Sequence, residues 1–396
     1  MINVPDYVLQ ILDIFEDSGF EAYTVGGCVR DSFLGKTPSD WDITTSAPPE
    51  KVLELFSAFT TIPTGLKHGT VTVISDGNPV EITTYRIDGE YTDCRHPQSV
   101  AFSSKLEDDL ARRDFTINAM AYNPIKELKD PYNGQKDLSI KLLRCVGNAT
   151  KRFGEDALRI MRALRFAATL GFEIEDDTAK AIRCCAPLLE NIAKERISVE
   201  LSKLLLAENP QKILLDYKDI LLEVLGIKRP VPDSVWTKNC SAVSSAVPYL
   251  PLRLALMLNS LPVSSVLRRL KFSNAIKHST EIITKGLAVD FLPDKVLIKK
   301  QLREFGAENI GYILKGKRAL SGDTEAFNDI ENIISNIKAN GECYLFSQLD
   351  INGQDLSEHF DIQGQEIGNA LEALLDAVIC EKCENNKYAL IEFLKK

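Results

Sequence analysis

No run of eighteen uncharged apolar residues occurs in the 396-residue chain, so no segment could cross a membrane as a helix. The start, MINVPDYVLQ, lacks the basic stretch and apolar run of a secretory leader, and a cytoplasmic location is the expectation. Histidine is scarce, with 4 residues and no His-Asp phosphohydrolase pattern, which argues against an appended phosphatase. No GxxxxGK[ST] stretch is present, so a P-loop does not hold any nucleotide. The 9 cysteines are scattered, and the Cys-x-x-Cys at Cys380 and Cys383 has no second pair or histidine at zinc spacing. They read as reduced, structural thiols. Neither a fixed-period repeat nor a low-complexity tract stands out, which argues against a solenoid. A net charge of −9 argues against indiscriminate coating of nucleic acid, while leaving room for local basic patches.

What is present is enough apolar material for two to four domains: 44% of residues are hydrophobic, and mean hydropathy is −0.09. Over the first 145 or so residues, β-rich runs (EAYTVGG, DWDITT, GTVTVI, PVEITTYRI, TINAMAYNP) alternate with helical stretches (VPDYVLQILDIFEDSG, PPEKVLELFSAF). This predicts an α+β domain. From Lys151 onward, apolar residues recur at three- and four-residue spacing and strand signals nearly vanish, which predicts an all-helical array. Within it, KRPVPDS near 230 and GLAVDFLPDK near 290 carry the break signals.

The chemistry concentrates in YTVGGCVRDSFLGKTPSDWDITT, Tyr23 to Thr45. On an extended strand Asp40 and Asp42 share one face, while Trp41 and Ile43 take the other. Two carboxylates so close repel unless a cation lies between them, and a divalent metal is the usual solution. Taken alone, the pair also fits a solvated strand edge. Upstream, Gly26 and Gly27 let backbone N–H groups approach a phosphate, with Arg30 following; a plain strand-to-helix turn with a surface arginine is the alternative. A third acid, Glu81, lies on another β-branched run that would have to neighbour the first. Such a set of acids beside a phosphate turn is what two-metal phosphoryl transfer requires.

GGCVRD, DWD, RRDFTINAM, EDALRIMRALRFAATLGF and KERISVEL, in that order within residues 23 to 206, resemble the class II tRNA nucleotidyltransferases: the CCA-adding enzymes and the related bacterial poly(A) polymerases of the polymerase-β superfamily. The resemblance implies an α+β fold with an amino-terminal mixed-sheet, polymerase-β-like nucleotidyltransferase head and an all-helical neck, body and tail. It suggests a head over 1–148, a neck for base recognition over 149–208, a body over 209–292 and a tRNA-binding tail over 293–396. LDINGQDL near Leu349 is similar to a recurring tail sequence.

By resemblance, Asp40 and Asp42 bind two Mg2+ ions and Glu81 completes the catalytic acids, while Gly26, Gly27 and Arg30 hold the triphosphate. Arg113 contacts phosphate, Asp114 the ribose, and Asn118 supports the site. EDALRIMRALRFAATLGF reads as one helix with Asp156, Arg159, Arg162 and Arg165 at three-residue steps, a pattern that also fits a solvated stripe with a minor Asp156–Arg159 ion pair. The resemblance instead makes Asp156 and Arg159 a protein template. Cytosine and adenine both show an amine donor beside a ring-nitrogen acceptor, which a carboxylate and a guanidinium match. Guanine and uracil reverse that order. Arg162 and Arg165 help neutralise the triphosphate or position the helix.

The expected reaction is CCA addition to tRNA from CTP and ATP. A-adding enzyme, poly(A) polymerase, a non-catalytic RNA-binding protein of the same fold and a small-molecule nucleotidyltransferase stand as alternatives. DGEYTDCRHPQSVAF, residues 88 to 102, resembles the loop of CCA-adding members that permits the change from CTP to ATP, and no stretch resembles the extra basic motif of poly(A) polymerases. VLRRLKFSNAIKH, KVLIKKQLREF and LKGKRAL are the candidate tRNA contacts. No membrane partner is expected, and monomer and homodimer both stay open.

Overall fold

The computed structural model describes residues 2–89 and 100–395, so the stretch 90–99, the larger part of the loop singled out above, lies outside the described residues. The chain divides into two compact units, Met1–Lys228 and Arg229–Lys396. Among the described residues no helix is long and apolar enough to cross a membrane.

The first unit opens with helix α1 (Asp6–Asp17), whose Val8, Ile11, Leu12 and Phe15 fall on one stripe and are buried. Strand β1 (Ala22–Val25) is buried at all four positions and runs into α2 (Gly27–Phe33). There follow β2 (Asp42–Thr45), α3 (Pro49–Leu55), β3 (Thr60–Gly65), β4 (Thr70–Ser75) and β5 (Asn78–Thr84). A two-stranded ribbon, β6 (Arg86–Asp88) antiparallel to β7 (Val100–Phe102), flanks the undescribed stretch. After α4 (Leu106–Ala111) come β8 (Ala121–Asn123) and β9 (Glu127–Lys129).

The main sheet has the order β3-β4-β5-β2-β1-β8-β9 and is mixed: β2 and β5 run parallel, every other neighbouring pair antiparallel. The run TINAMAYNP is not one strand. It forms a 3-10 turn, Thr116–Asn118, and then β8, because Asp114 takes the N–H of Phe115 and the side chain of Asn118, closing the chain on itself.

The rest of the unit is helical: α5 (Gly134–Ser139), α6 (Ala149–Glu155), α7 (Leu158–Leu170), α8 (Asp176–Cys185), α9 (Lys194–Leu205), α10 (Gln211–Asp216) and α11 (Lys218–Leu225). One exception to the all-helical expectation is β10 (Leu142–Leu143) pairing in parallel with β11 (Glu173–Ile174). The single helix expected across EDALRIMRALRF is also two helices. Asp156 is extended, with φ −137° and ψ 102°, and its Oδ1 accepts the N–H of Leu158 at 3.0 Å, which starts α7.

The second unit is all-helical among its described residues: α12 (Asp233–Ser245), α13 (Leu250–Met257), α14 (Val263–Arg269), α15 (Asn274–Leu287), α16 (Lys295–Phe305), α17 (Ala307–Ser321), α18 (Asn328–Ala339), α19 (Gly353–Phe360), α20 (Gln365–Ile379) and α21 (Lys387–Leu394). Gly316 lets α17 press against α13 and α15: a Cβ there would stand 2.9 Å from both Leu252 Cδ1 and Leu287 Cδ2. The motif LDINGQDL is the start of α19, where Asn352 accepts the N–H groups of Gln354 and Asp355 while Asp355 accepts that of Asn352.

Candidate active site

Parallel pairing of β2 with β5 sets Asp42 opposite Glu81, each at the start of a β-branched run. Asp40 precedes the ladder and is exposed, so the strand begins at Asp42 rather than including both acids; Trp41 and Ile43 are buried, as alternation requires. Burial above all, with the nearby charges of Asp40 and Glu81, raises Asp42 to about 6 against the lowering pull of Arg113. Among the described residues no group of three acids, histidines or cysteines is gathered closely enough to hold a metal unaided. The available donors, Asp40, Asp42 and Glu81, are all carboxylate oxygens, the kind hard divalent cations take. Their mutual repulsion at Asp42 is what a cation would relieve.

Gly26, between β1 and α2, has φ 80° and ψ −121°, a conformation open to glycine, and a Cβ there would meet Arg113 Nη1 at 3.0 Å. Behind this turn lies a connected polar network. Arg30 Nη1 donates to Asn118 Oδ1 at 2.6 Å, Asn118 Nδ2 donates to Asp114 Oδ1 at 3.1 Å, and Arg162 donates to Asp114 Oδ2 from Nε and Nη2 at 2.9 and 2.7 Å. Burial would raise Asp114, but Arg162 and the hydrogen bond from Asn118 outweigh it and hold the carboxyl at about 2.

Arg113 donates to Asp109 Oδ2 at 3.1 Å, and Arg112 to Asp109 Oδ1 at 2.9 and 2.7 Å from two nitrogens. Asp109 is fully buried, yet Arg113 and Arg112 overcome the effect of burial and keep it below the usual carboxylate range. Sequence reasoning missed Asp109, though its spacing of three and four from the paired arginines of LEDDLARRD is the helical ion-pair signal.

The Asp156–Arg159 ion pair does not form. Arg159 donates to Glu155 Oε2 at 2.9 Å and to the carbonyls of Arg152 and Arg112, while Asp156 Oδ2 accepts from Arg196 at 3.2 Å. The helix break at Asp156 turns its carboxylate out of α7, and the helical spacing passes to Glu155. Arg162 and Arg165 are likewise engaged. Arg165 Nε lies 2.7 Å from Glu200 of α9, and Arg162 Nη1 lies 3.7 Å from the same carboxylate. Glu200 and Arg196 were also missed, although both lie in KERISVEL.

In two of the three candidate tRNA-contact stretches of the second unit, several cations have partners within the unit. In KVLIKKQLREF, Lys299 pairs with Glu342 at 2.7 Å, Lys300 with Asp376 at 3.2 Å and Arg303 with Glu372 at 2.6 Å. In LKGKRAL, Arg318 pairs with Glu331 at 2.7 Å and Lys317 donates to the Leu287 carbonyl at 2.9 Å.

Residues 22–144 match the family model of the poly A polymerase head domain, residues 171–222 that of the "Probable RNA and SrmB- binding site of polymerase A", and residues 246–394 that of tRNA nucleotidyltransferase domain 2. With the mixed sheet and its acids, these matches define a nucleotidyltransferase of the poly(A) polymerase-head class. The CCA-adding enzyme of Ligilactobacillus salivarius is 36% identical over 420 aligned residues, covering 100% of this chain and 98% of the relative. That of Lactobacillus delbrueckii subsp. bulgaricus is 38% identical, covering 98% and 96%. The crystal structure of the Bacillus stearothermophilus CCA-adding enzyme in complex with CTP superposes with a TM-score of 0.83 at 32% identity, covering 99% of this chain and 98% of that one. The chain belongs to the CCA-adding enzyme family.

Proposed function

We propose that the protein adds cytidine, cytidine and adenosine to the 3′ end of tRNA from CTP and ATP, with protein side chains selecting the base. The observation that carries the chemistry is the register of Asp42 with Glu81 on adjoining parallel strands, with Asp40 two residues upstream. Asp40 and Asp42 are the proposed metal ligands and Glu81 their companion. Bound there, divalent cations, Mg2+ in this proposal, would lower the pKa of the primer's 3′-hydroxyl and offset the triphosphate charge. In the reaction the 3′ oxygen bonds to the α-phosphorus, the bond from that phosphorus to the bridging oxygen breaks, and diphosphate leaves.

Gly26, Gly27, Arg30 and Arg113 are the proposed triphosphate contacts, Asp114 with Asn118 the ribose side. For Asp114, the hydrogen bonds from Phe115, Asn118 and Arg162 support a role in fixing Arg162 and Asn118 as well. Asp156 and Arg159 are proposed to read the base. A carboxylate offers about four lone-pair sites and a guanidinium five N–H donors. Asp156 uses sites for Leu158 and Arg196, and Arg159 uses three donors on Glu155, Arg152 and Arg112, so both retain capacity for one base edge. Arg162 and Arg165 act through Asp114 and Glu200. The division into head 1–148, neck 149–208, body 209–292 and tail 293–396 belongs to the same proposal, as does a cytoplasmic location, which the eight free cysteines of the described residues support.

Primer extension with Mg2+ tests this on tRNA transcripts ending before CCA, after CC and after CCA. Growth of the first by three nucleotides and then arrest is expected. A single A added to the CC-ended transcript alone would mean an A-adding enzyme, and long A tails a poly(A) polymerase.

A further inference from the structure

Three guanidinium groups converge on the ring of Phe166: Arg165 at 3.8 Å from the centroid, Arg30 at 5.1 Å and Arg162 at 5.4 Å. Like charges gathered so closely repel, and two of the three have buried carboxylates to offset this: Arg162 has Asp114, and Arg165 has Glu200. Two hydrogen bonds to Asp114 align Arg162, but the carboxylate beside Arg165 does not fix its direction. Arg165 Nε and Glu200 Oε2 are 2.7 Å apart, yet neither makes a hydrogen bond, so the pair attracts without aligning. Arg30 leans on neutral Asn118 and on Asp31 beside it in the chain.

The face of an aromatic ring is electron-rich and attracts a cation from either side, so one ring can hold several guanidiniums at set spacing. Phe166 is itself fixed. It lies on α7, is 6% exposed, and meets Phe115 edge-on with ring centroids 5.7 Å apart. Phe115 follows Asp114 directly, so the ring is tied to the chain that carries the proposed ribose contact.

We propose that Phe166 is a positioning residue for nucleotide binding: its ring holds Arg30, from the glycine turn, in register with Arg162 and Arg165 of α7, so that Arg30 meets the triphosphate already oriented. The inference rests on the reading of Arg30 as a triphosphate contact. Leucine and methionine at 166 keep apolar bulk without a π face, while tyrosine keeps the ring.

The test is a double-mutant cycle on steady-state transfer to tRNA, with KM and kcat measured for CTP and ATP in wild type, Phe166→Leu, Phe166→Met, Phe166→Tyr, Arg30→Ala and Arg30→Ala with Phe166→Leu. Phe166→Leu and Phe166→Met are expected to raise both nucleotide KM values about fivefold, the equivalent of about 1 kcal/mol, with kcat changed less. Phe166→Tyr should stay near wild type. In the Arg30→Ala background, Phe166→Leu should raise KM no further, since its effect passes through Arg30. If Arg30→Ala raises KM and Phe166→Leu adds its full effect on top, or if leucine and tyrosine behave alike, the positioning role of the ring is overturned while the triphosphate reading stands. If Arg30→Ala leaves KM unchanged, that reading fails and the inference fails with it. Thermal melting of each variant separates these results from loss of fold: a lowered Tm with unchanged KM also rejects the proposal.

Discussion

At the scale of single residues, Asp42 is the most strained titratable group of the candidate site. Its carboxyl, raised to about 6 by burial and by Asp40 and Glu81, has an ordinary value near 3.8, so the folded chain binds a proton there more tightly than the unfolded chain does. The contribution of Asp42 to the stability of the metal-free protein therefore falls as pH rises from about 4 to about 6 and stays lower above that window. Asp42→Asn removes the ionisation. It is expected to raise the Tm of the metal-free protein at pH 7 by about 2–4 °C, to flatten that pH dependence, and to abolish nucleotide transfer. A variant that melts at or below wild type would mean that burial and the neighbouring acids do not disfavour the ionised form of Asp42. Base choice belongs to the same scale. Asp156→Ala and Arg159→Ala should each admit UTP or GTP in primer extension while calorimetry shows unchanged Mg2+ binding; retained selectivity would remove both residues from base reading.

At the scale of elements, the strand-to-helix turn at Gly26 is tightly constrained. Gly26→Ala forces a side chain into φ 80° and ψ −121° and toward Arg113 Nη1, so the turn, Arg113 or both must move. A cost of about 1–3 kcal/mol is expected in denaturant unfolding, with transfer activity falling more than tenfold. Equal activity would show that the turn does not set the site.

This turn was legible in the sequence because glycine pairs punctuate strands, whereas spacing left the neighbouring of Glu81 with Asp42 open and only the family resemblance placed the two together. Asp156 was misread for a physical reason. A short polar side chain can either ride a helix or cap one, and spacing does not distinguish the two. Once the helix breaks at Asp156, Arg159 turns to Glu155 and Asp156 to Arg196, a partner 40 residues away that no local pattern reveals. Asp40 escaped for a similar reason, since a strand pattern does not say where the ladder begins.

At the scale of the whole molecule, a net charge of −9 must meet a polyanionic primer, so the basic side chains that remain available matter more than the number present. The basic helix α16 is a candidate RNA contact in which sequence shows the cations and hides their partners. Lys300 and Arg303 face Asp376 and Glu372 of α20, more than sixty residues onward. Exposed pairs of this kind contribute little to stability, about 0–1 kcal/mol each, so breaking them should leave the second unit folded. The double variant Lys300→Ala with Arg303→Ala is therefore expected to change the Kd for tRNA less than about twofold and to leave its salt dependence unaltered, because every phosphate that a removed cation had neutralised would lower the slope by about 0.7–0.9. Glu372→Gln with Asp376→Asn releases the same two cations and should tighten tRNA binding at low salt. Weaker binding by the alanine pair, with a shallower salt slope, would mean that α16 trades its acidic partners for phosphates when tRNA arrives, and that the internal pairing is a resting state of the RNA-binding surface.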